Sequence, residues 1–368
     1  QKIRGIRCII LYGKKCLLNK RRGISMKYIK RLIAWAMLSL IIQVSGLFIL
    51  DKFIFAQSSA FQSKKIEVEK PYDNKINIKI PAAADDVRIS YNGKYMTYVK
   101  NDELNITETK SGKNKEVITD NKGKIMYYDW LPERDMIVIL EKVTKKGKES
   151  IQLVTYNPKN AATSLVTEIC SFESGMEIKT VTESVFTSVF YIYVSNPGGY
   201  DRCYRIDINN DKFDVKLRST SMADMYVIPH TDRLIYDDTS DSILYATSPD
   251  LKLKFNTNGK VRLIGIDRND IIYAGEMSGD KVSGIWYGKI DQSISEWNSI
   301  RLDYPVNMDD LYFNSQSEII VNNMLEGKIK NITNGKEYEY TGKFIDVKDD
   351  FIAIDDNGKL IYQKLKTK

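Results

Sequence analysis

Residues 87–113 read VRISYNGKYMTYVKNDELNITETKSGK. Three apolar runs, ISY, YMTYV and LNIT, are separated by the polar segments NGK and KNDE. Asn92-Gly93 between such runs marks a tight turn between strands. Extended on both sides, the stretch divides as DDVRISY, KYMTYVK, ELNITETK and KEVITD, four strands joined by three turns.

The same unit recurs along the chain. KIMYYDWLPER, DMIVILEKV, SIQLVTYN and SLVTEI form a second, and MEIKTVTE, VFYIYVSN, RCYRIDIN and FDVKLRS a third. MYVIPHT, RLIYDDT, SILYATS and LKLKFNT form a fourth, and VRLIGIDR, DIIYAGEM, GIWYGKI and WNSIRLDY a fifth. DLYFNSQ, EIIVNNM, GKIKNI and KEYEYTG make the sixth. The last stretch, FIDVKDD, FIAIDD and KLIYQKL, has three strands. KINIKI, residues 75–80, precedes the first unit and has no partner of its own. If it supplies the missing fourth strand, the ends of the repeat join and no sheet edge is left open in the ring. A period of about 43 residues suits four-stranded blades. The expectation is an all-β fold, a β-propeller of seven four-stranded blades over residues 75–368, closed by its N-terminal strand. A pair of β-sandwiches or another long β-meander is the rival, and dividing one unit differently would give six or eight blades.

Two turns carry a family likeness. Ile89-Ser90-Tyr91-Asn92-Gly93-Lys94-Tyr95 resembles the S-x-D-G-K/R turn of TolB-like and WD-repeat-like propellers, including the propeller of dipeptidyl peptidase IV-type proteins. Asp129-Trp130-Leu131-Pro132-Glu133-Arg134-Asp135 is similar to the W-S-P-D-G form of that turn. Later units depart from it, with His230-Thr231-Asp232-Arg233 and Asp267-Arg268-Asn269-Asp270 at the corresponding places. The resemblance implies architecture and leaves function open.

The N-terminal part is of another kind. Leu32 to Leu50, LIAWAMLSLIIQVSGLFIL, has 19 residues and no charge. As a helix it would span roughly 28 Å, the hydrocarbon thickness of a bilayer. Lys27, Lys30 and Arg31 precede it, so the positive-inside rule puts residues 26–31 in the cytoplasm and the remainder outside. The expectation is a single-pass signal anchor over 32–50, with a polar stalk over 51–74 leading to an extracytoplasmic domain. A cleaved signal peptide is the alternative, with Ser58-Ser59-Ala60 as a late cleavage site. Residues 1–25 read either as a basic cytoplasmic tail or as translated leader upstream of Met26, because Arg21-Arg22-Gly23 is compatible with a bacterial ribosome-binding sequence.

Charge argues against nucleic acid. The chain carries a formal +7, but residues 1–31 hold 11 Lys/Arg and no acid, leaving 44 basic against 48 acidic residues beyond them. The basic footprint that nucleic-acid binding needs is missing from the folded part. Cys170 and Cys203 lie where a disulfide is permitted, but two cysteines make no framework. Cys8 and Cys16 fall in the segment before Met26.

Candidate chemistry is thin. The one histidine, His230, falls at the turn after the first strand of unit four and reads as a turn residue. There is no G-x-S-x-G and no P-loop. Asp85, Asp86, Asp129, Asp309 and Asp310 lie at or near innermost strands, where carboxylates could serve a hydrolase or lyase or simply fix turns. Asp207-x-Asn209-x-Asp211 lacks the Gly and Glu of a calcium loop, and Asp355-Asp356-Asn357-Gly358 reads as a hairpin turn. The 23 tyrosines, among them Tyr127-Tyr128 and Tyr338-x-Tyr340, read first as packing residues. No catalytic, cofactor-binding or metal-ligating residue is assigned. The expected function is non-catalytic binding of an envelope protein, peptide or cell-wall polymer on one propeller face, with a carboxylate-dependent hydrolase or lyase at the channel mouth as the alternative.

Overall fold

The computed structural model describes residues 26–49, 78–119, 122–218, 222–238, 243–257 and 259–365. The expected leader or tail over 1–25 and the expected stalk over 51–74 lie outside the described residues. The chain divides into two units, Gln1–Glu69 and Lys70–Lys368.

In the first unit Met26–Ile49 form one helix, α1. Its Lys30–Phe48 stretch, of mean hydropathy 1.7, is long and apolar enough to cross a membrane. The helix starts before the apolar run because Lys and Arg are good helix formers and nothing between Met26 and Leu32 breaks the turn.

The second unit is a ring of seven four-stranded antiparallel sheets. Blade 1 consists of Asp85–Ile89, Tyr95–Lys100, Glu103–Glu108 and Asn114–Glu116. Blade 2 is built from Lys124–Trp130, Ile137–Lys145, Lys148–Asn157 and Ala162–Ser171, and blade 3 from Glu177–Ser184, Val189–Ser195, Arg202–Ile206 and Lys212–Val215. Met222–Val227, Leu234–Asp238, Ile243–Ala246 and Leu251–Lys254 make blade 4. Blade 5 holds Val261–Ile266, Ile272–Ser278, Lys281–Gly288 and Asn298–Val306. Blade 6 holds Leu311–Phe313, Ile319–Asn323, Lys328–Asn331 and Glu337–Glu339. Blade 7 takes three strands from the C-terminal end, Lys343–Val347, Phe351–Asp355 and Lys359–Lys364, and its outermost strand, Ile78–Lys79, from the other end of the repeat. Ile78 pairs with Leu360 and Lys79 with Lys359, and the Ile80 N–H donates to the Gly358 carbonyl at 2.8 Å. Of KINIKI, residues 75–77 lie outside the described residues.

Alternation along the strands explains why the ring holds. In blade 2, Ile137 and Ile139 pack toward Leu104 and Ile106 of blade 1, while Val138 and Leu140 pack toward Ile192 and Val194 of blade 3. Both faces of a blade are therefore apolar, and each buried cluster lies between two neighbours. The cluster between blades 7 and 1 contains Ile78, Ile80, Met96, Phe351 and Tyr362. The closing strand thus contributes core as well as pairing.

The turns joining first and second strands also pass hydrogen bonds from blade to blade. Asn92 Nδ2 donates to Asp135 (3.1 Å), Arg134 Nη2 to the Val185 carbonyl (3.1 Å), and Ser184 Oγ to the Pro229 carbonyl. The His230 N–H donates to Asp270 Oδ1 (3.0 Å), Asn269 Nδ2 to the Ser315 carbonyl (2.8 Å), and the Ser315 N–H to Asp349 (2.8 Å). Tyr362 Oη donates to the Gly93 carbonyl at 2.9 Å, joining blade 7 to blade 1. Gly93 has φ +72°, and a Cβ there would lie 3.0 Å from Phe351 and Tyr362, so this turn tolerates no side chain without rearrangement.

Ile78→Ala and Ile80→Ala each remove a buried side chain at the closure and should cost about 2–5 kcal/mol. Lys79→Ala, whose side chain is exposed, should cost under about 0.5 kcal/mol. Urea unfolding of the three variants checks this.

Candidate functional site

From blade 1 to blade 6 the first strands of neighbouring blades touch one another, and those of blades 1 and 7 also meet, so these strands surround the axis. In blades 1, 2, 3, 4, 5 and 7 the pairing of first with second strand is broken by a register shift. In blade 6 the short helix Met308–Asp310 enters the strand instead. Such irregularities re-aim side chains that would otherwise point only into the blade interfaces. Counted back two residues from the pair that ends each inner hairpin, Arg88, Asp129, Thr182, Tyr226, Gly265, Tyr312 and Asp346 share one level. Arg88 and Thr182 of this level reach to the following blade, Arg88 to the Tyr128 carbonyl at 2.7 Å and Thr182 Oγ1 accepting from the Val227 N–H at 3.0 Å.

Charges gather on this level and beside it. Arg88 pairs with Asp86 at 2.9 Å and with Asp129 at 3.3 Å. Lys348 pairs with Asp346 at 2.7 Å. Burial disfavours the Lys348 ammonium, yet the carboxylates of Asp346, Asp129 and Asp349 outweigh it and raise its pKa. Toward the other end of the inner strands, Arg262 reaches Asp224 at 3.1 Å and Asp237 at 2.5 Å. Asp237 is fully buried and also accepts the N–H groups of Asp224 (2.8 Å) and Leu263 (3.2 Å). Burial and the charge of Asp237 raise the Asp224 carboxyl despite Arg262. Tyr127, Tyr226 and Tyr312 stand among these groups, and burial followed by nearby carboxylates pushes each phenol up.

Glu183, on the first strand of blade 3, differs from its neighbours. Among the described residues its carboxyl has no ion-pair or hydrogen-bond partner within the protein. Burial first, and the charge of Asp129 second, drive it well above the usual carboxylate range. By contact with solvent the residue is only half-buried. Protein packed around its open surface leaves little water to screen it. A carboxyl raised in this way keeps its proton to higher pH than an ordinary one and, while protonated, can donate a hydrogen bond.

Three solved structures are similar to this chain at the level of fold. Hsv2 from Kluyvelomyces marxianus is 10% identical, with a TM-score of 0.47 over 77% of this chain and 97% of that one. TolB from Acinetobacter baumannii is 11% identical, with a TM-score of 0.35 over 62% of this chain and 56% of TolB. The acylaminoacyl peptidase of Pyrococcus horikoshii is 11% identical, with a TM-score of 0.47 over 70% of this chain and 45% of the peptidase. The chain therefore spans little more than half of TolB and under half of the peptidase. No protein-family profile and no curated protein matches the sequence.

The residues singled out from sequence separate into two groups. Asp129 faces the belt, and its Oδ1 also accepts the Trp130 N–H at 2.8 Å. Asp86 reaches the belt through Arg88, Asp85 is exposed, and Asp309 is exposed at the opposite end of the inner strands. Asp310 is buried and bound by Asn307 Nδ2 at 3.0 Å, a turn-fixing role. Asp207 likewise holds its own turn, accepting from the N–H groups of Asn209 (2.9 Å) and Asp211 (3.1 Å). Asp355 accepts the Gly358 N–H at 2.7 Å in the hairpin that abuts the closing strand. His230 sits in the inner turn of blade 4, stacked on Phe186 with ring centroids 4.3 Å apart. Tyr128 and Tyr340 are buried, bonded to the Asp86 carbonyl and to Asn322. Cys170 and Cys203 are free thiols. Glu183, Arg262, Asp237 and Lys348 were not singled out from sequence, although VRLIG places a charge in an otherwise apolar inner strand.

A carboxyl raised in the folded state binds its proton there more readily than in the unfolded chain. Its presence therefore weakens the fold as pH rises above the unfolded value, about 4.3 for Glu. Glu183→Gln should gain stability over the parent between pH 5 and pH 8, at roughly 1.4 kcal/mol per unit of raised pKa. Parallel urea-unfolding profiles of the two proteins across that range would contradict the assignment.

Proposed function

We propose that this chain is a membrane-anchored, extracytoplasmic β-propeller that works by binding an envelope protein, a peptide or a cell-wall polymer. One observation carries this reading. Three carboxylates of the inner strands are held by cations, Asp129 by Arg88 and Asp346 by Lys348 on the belt and Asp224 by Arg262 toward the other end, and Glu183 is left without one among the described residues. Held this way they give a fixed, charged lining suited to recognition. The excess of carboxylates over cations favours ligands presenting ammonium, guanidinium or other hydrogen-bond donors. Anchoring rests on α1, with Lys30 and Arg31 at the start of its apolar stretch.

The alternative, a carboxylate-dependent hydrolase or lyase, has Glu183 beside Asp129 in its favour. A carboxyl of raised pKa close to a second carboxyl group is the arrangement from which a general acid and its base or nucleophile are built.

Crosslinking in intact cells, followed by purification of the propeller, separates the two. Binding predicts a specific envelope component attached to peptides at one mouth of the ring, with no turnover by purified protein. Cleavage of a glycan or peptide library by the purified chain, abolished in Glu183→Gln, would overturn it.

A further inference from the structure

We propose that Glu133 and Arg268 form a plug across the axis. The plug closes the channel mouth on the side of the inner turns and leaves the charged belt as a well open from the opposite end. Glu133 belongs to the inner turn of blade 2 and Arg268 to that of blade 5. Three steps around a ring of seven put these blades on nearly opposite sides. Their side chains nevertheless meet, with Arg268 Nε 2.7 Å from Glu133 Oε1. A contact between opposed inner turns has to cross the axis.

Blades 3 and 4, which lie between blades 2 and 5 on one side, pack against the bridge. Phe186, from the inner turn of blade 3, lies with its ring 6.0 Å from the Arg268 guanidinium and stacks on His230 of blade 4. His230 is fixed in turn by Asp270, which binds its ring Nδ1 and its backbone N–H, each at 3.0 Å. Both ends of the bridge are held in place. Asp267 accepts the N–H groups of Asn269 (2.8 Å) and Ile271 (3.0 Å), so the turn that projects Arg268 is rigid. Arg134, next to Glu133, is tied to the Val185 carbonyl.

Stability does not account for the arrangement. A partly exposed ion pair adds little to folding. Glu133 moreover sits at φ +62°, a conformation that disfavours any residue with a Cβ. The strained turn aims an acid at the axis, where its partner comes from the far side. Glu183, one residue before the pair that ends the blade 3 inner hairpin, then lies directly under the plug, at the floor of the well. The inference goes beyond the proposed function and holds whether the well binds or cleaves.

Thiol modification in the full chain tests it. With Glu183→Cys as reporter, a charged methanethiosulfonate too bulky to pass the belt from the open end should react slowly, because the plugged mouth is its only other route. Burial pushes the Cys203 thiol up to about 12, and peptide-level mass spectrometry distinguishes the reporter from Cys8, Cys16 and Cys170. Adding Glu133→Ala and Arg268→Ala should speed the reporter at least tenfold, and the exchange Glu133→Arg with Arg268→Glu should return it toward the starting rate. A second reporter, Asp309→Cys at the opposite end, should change less than twofold. An unchanged rate at position 183 in the double alanine variant overturns the plug. If the reporter chain does not fold, Glu133→Cys with Arg268→Cys serves instead. A short bifunctional thiol reagent should join them within one chain, and failure to do so overturns the proposal equally.

Discussion

Everything in the ring depends on a short backbone pairing, that of Ile78 and Lys79 with Leu360 and Lys359, extended by the Ile80–Gly358 bond. Without it, blade 7 would keep three strands and an open outer edge, and Ile78 and Ile80 would leave the cluster they share with Met96 and Phe351. Both losses fall on the seam where the circle closes. A circle, unlike an open stack, fixes which blades stand opposite each other. The contact of Glu133 with Arg268 exists only because blades 2 and 5 face across an axis.

The family-like turns acquire a physical meaning in this setting. Ser90–Lys94 and Leu131–Asp135 are more than hairpin closures, because Asn92 of one reaches Asp135 of the other. Later blades replace the residues and keep the relation. His230 takes Asp270, and Asn269 takes Ser315 and Ser317. What persists from blade to blade is a donor on one turn and an acceptor on the next. This allows the sequence pattern to blur after the second unit while the geometry continues.

Strands were legible because apolar residues alternate and are punctuated by Gly, Asn and Asp, local signals that need no knowledge of the whole. KINIKI was legible by elimination, as a strand left without a partner in a repeat one strand short. The site was legible only where one residue in one strand announced it, as Asp129 did. Glu183 stands 54 positions away from Asp129 in the chain, and Arg262 serves a carboxylate on the preceding blade. No spacing rule links such residues, since ring closure and the shifts in inner-strand register bring them together. Asp310, which looked like a candidate by position, proved to be buried in its own turn because the entry to blade 6 is a short helix rather than a bulge. Of KINIKI, Ile78 and Lys79 form the described closing strand, and residues 75–77 lie outside the described residues.

A closed ring, a charged belt and a bridged mouth together make a rigid receptacle with one entrance, and rigidity of this kind suits recognition of a group that enters it. The account rests first on closure. Native-state hydrogen exchange of the Ile80 amide, bonded to Gly358, tests that most directly. Closure predicts that it exchanges only with global unfolding, at the same free energy as core amides such as Val138 and Tyr273. Rapid exchange at Ile80 while those core amides stay protected would contradict a ring held shut by its N-terminal strand.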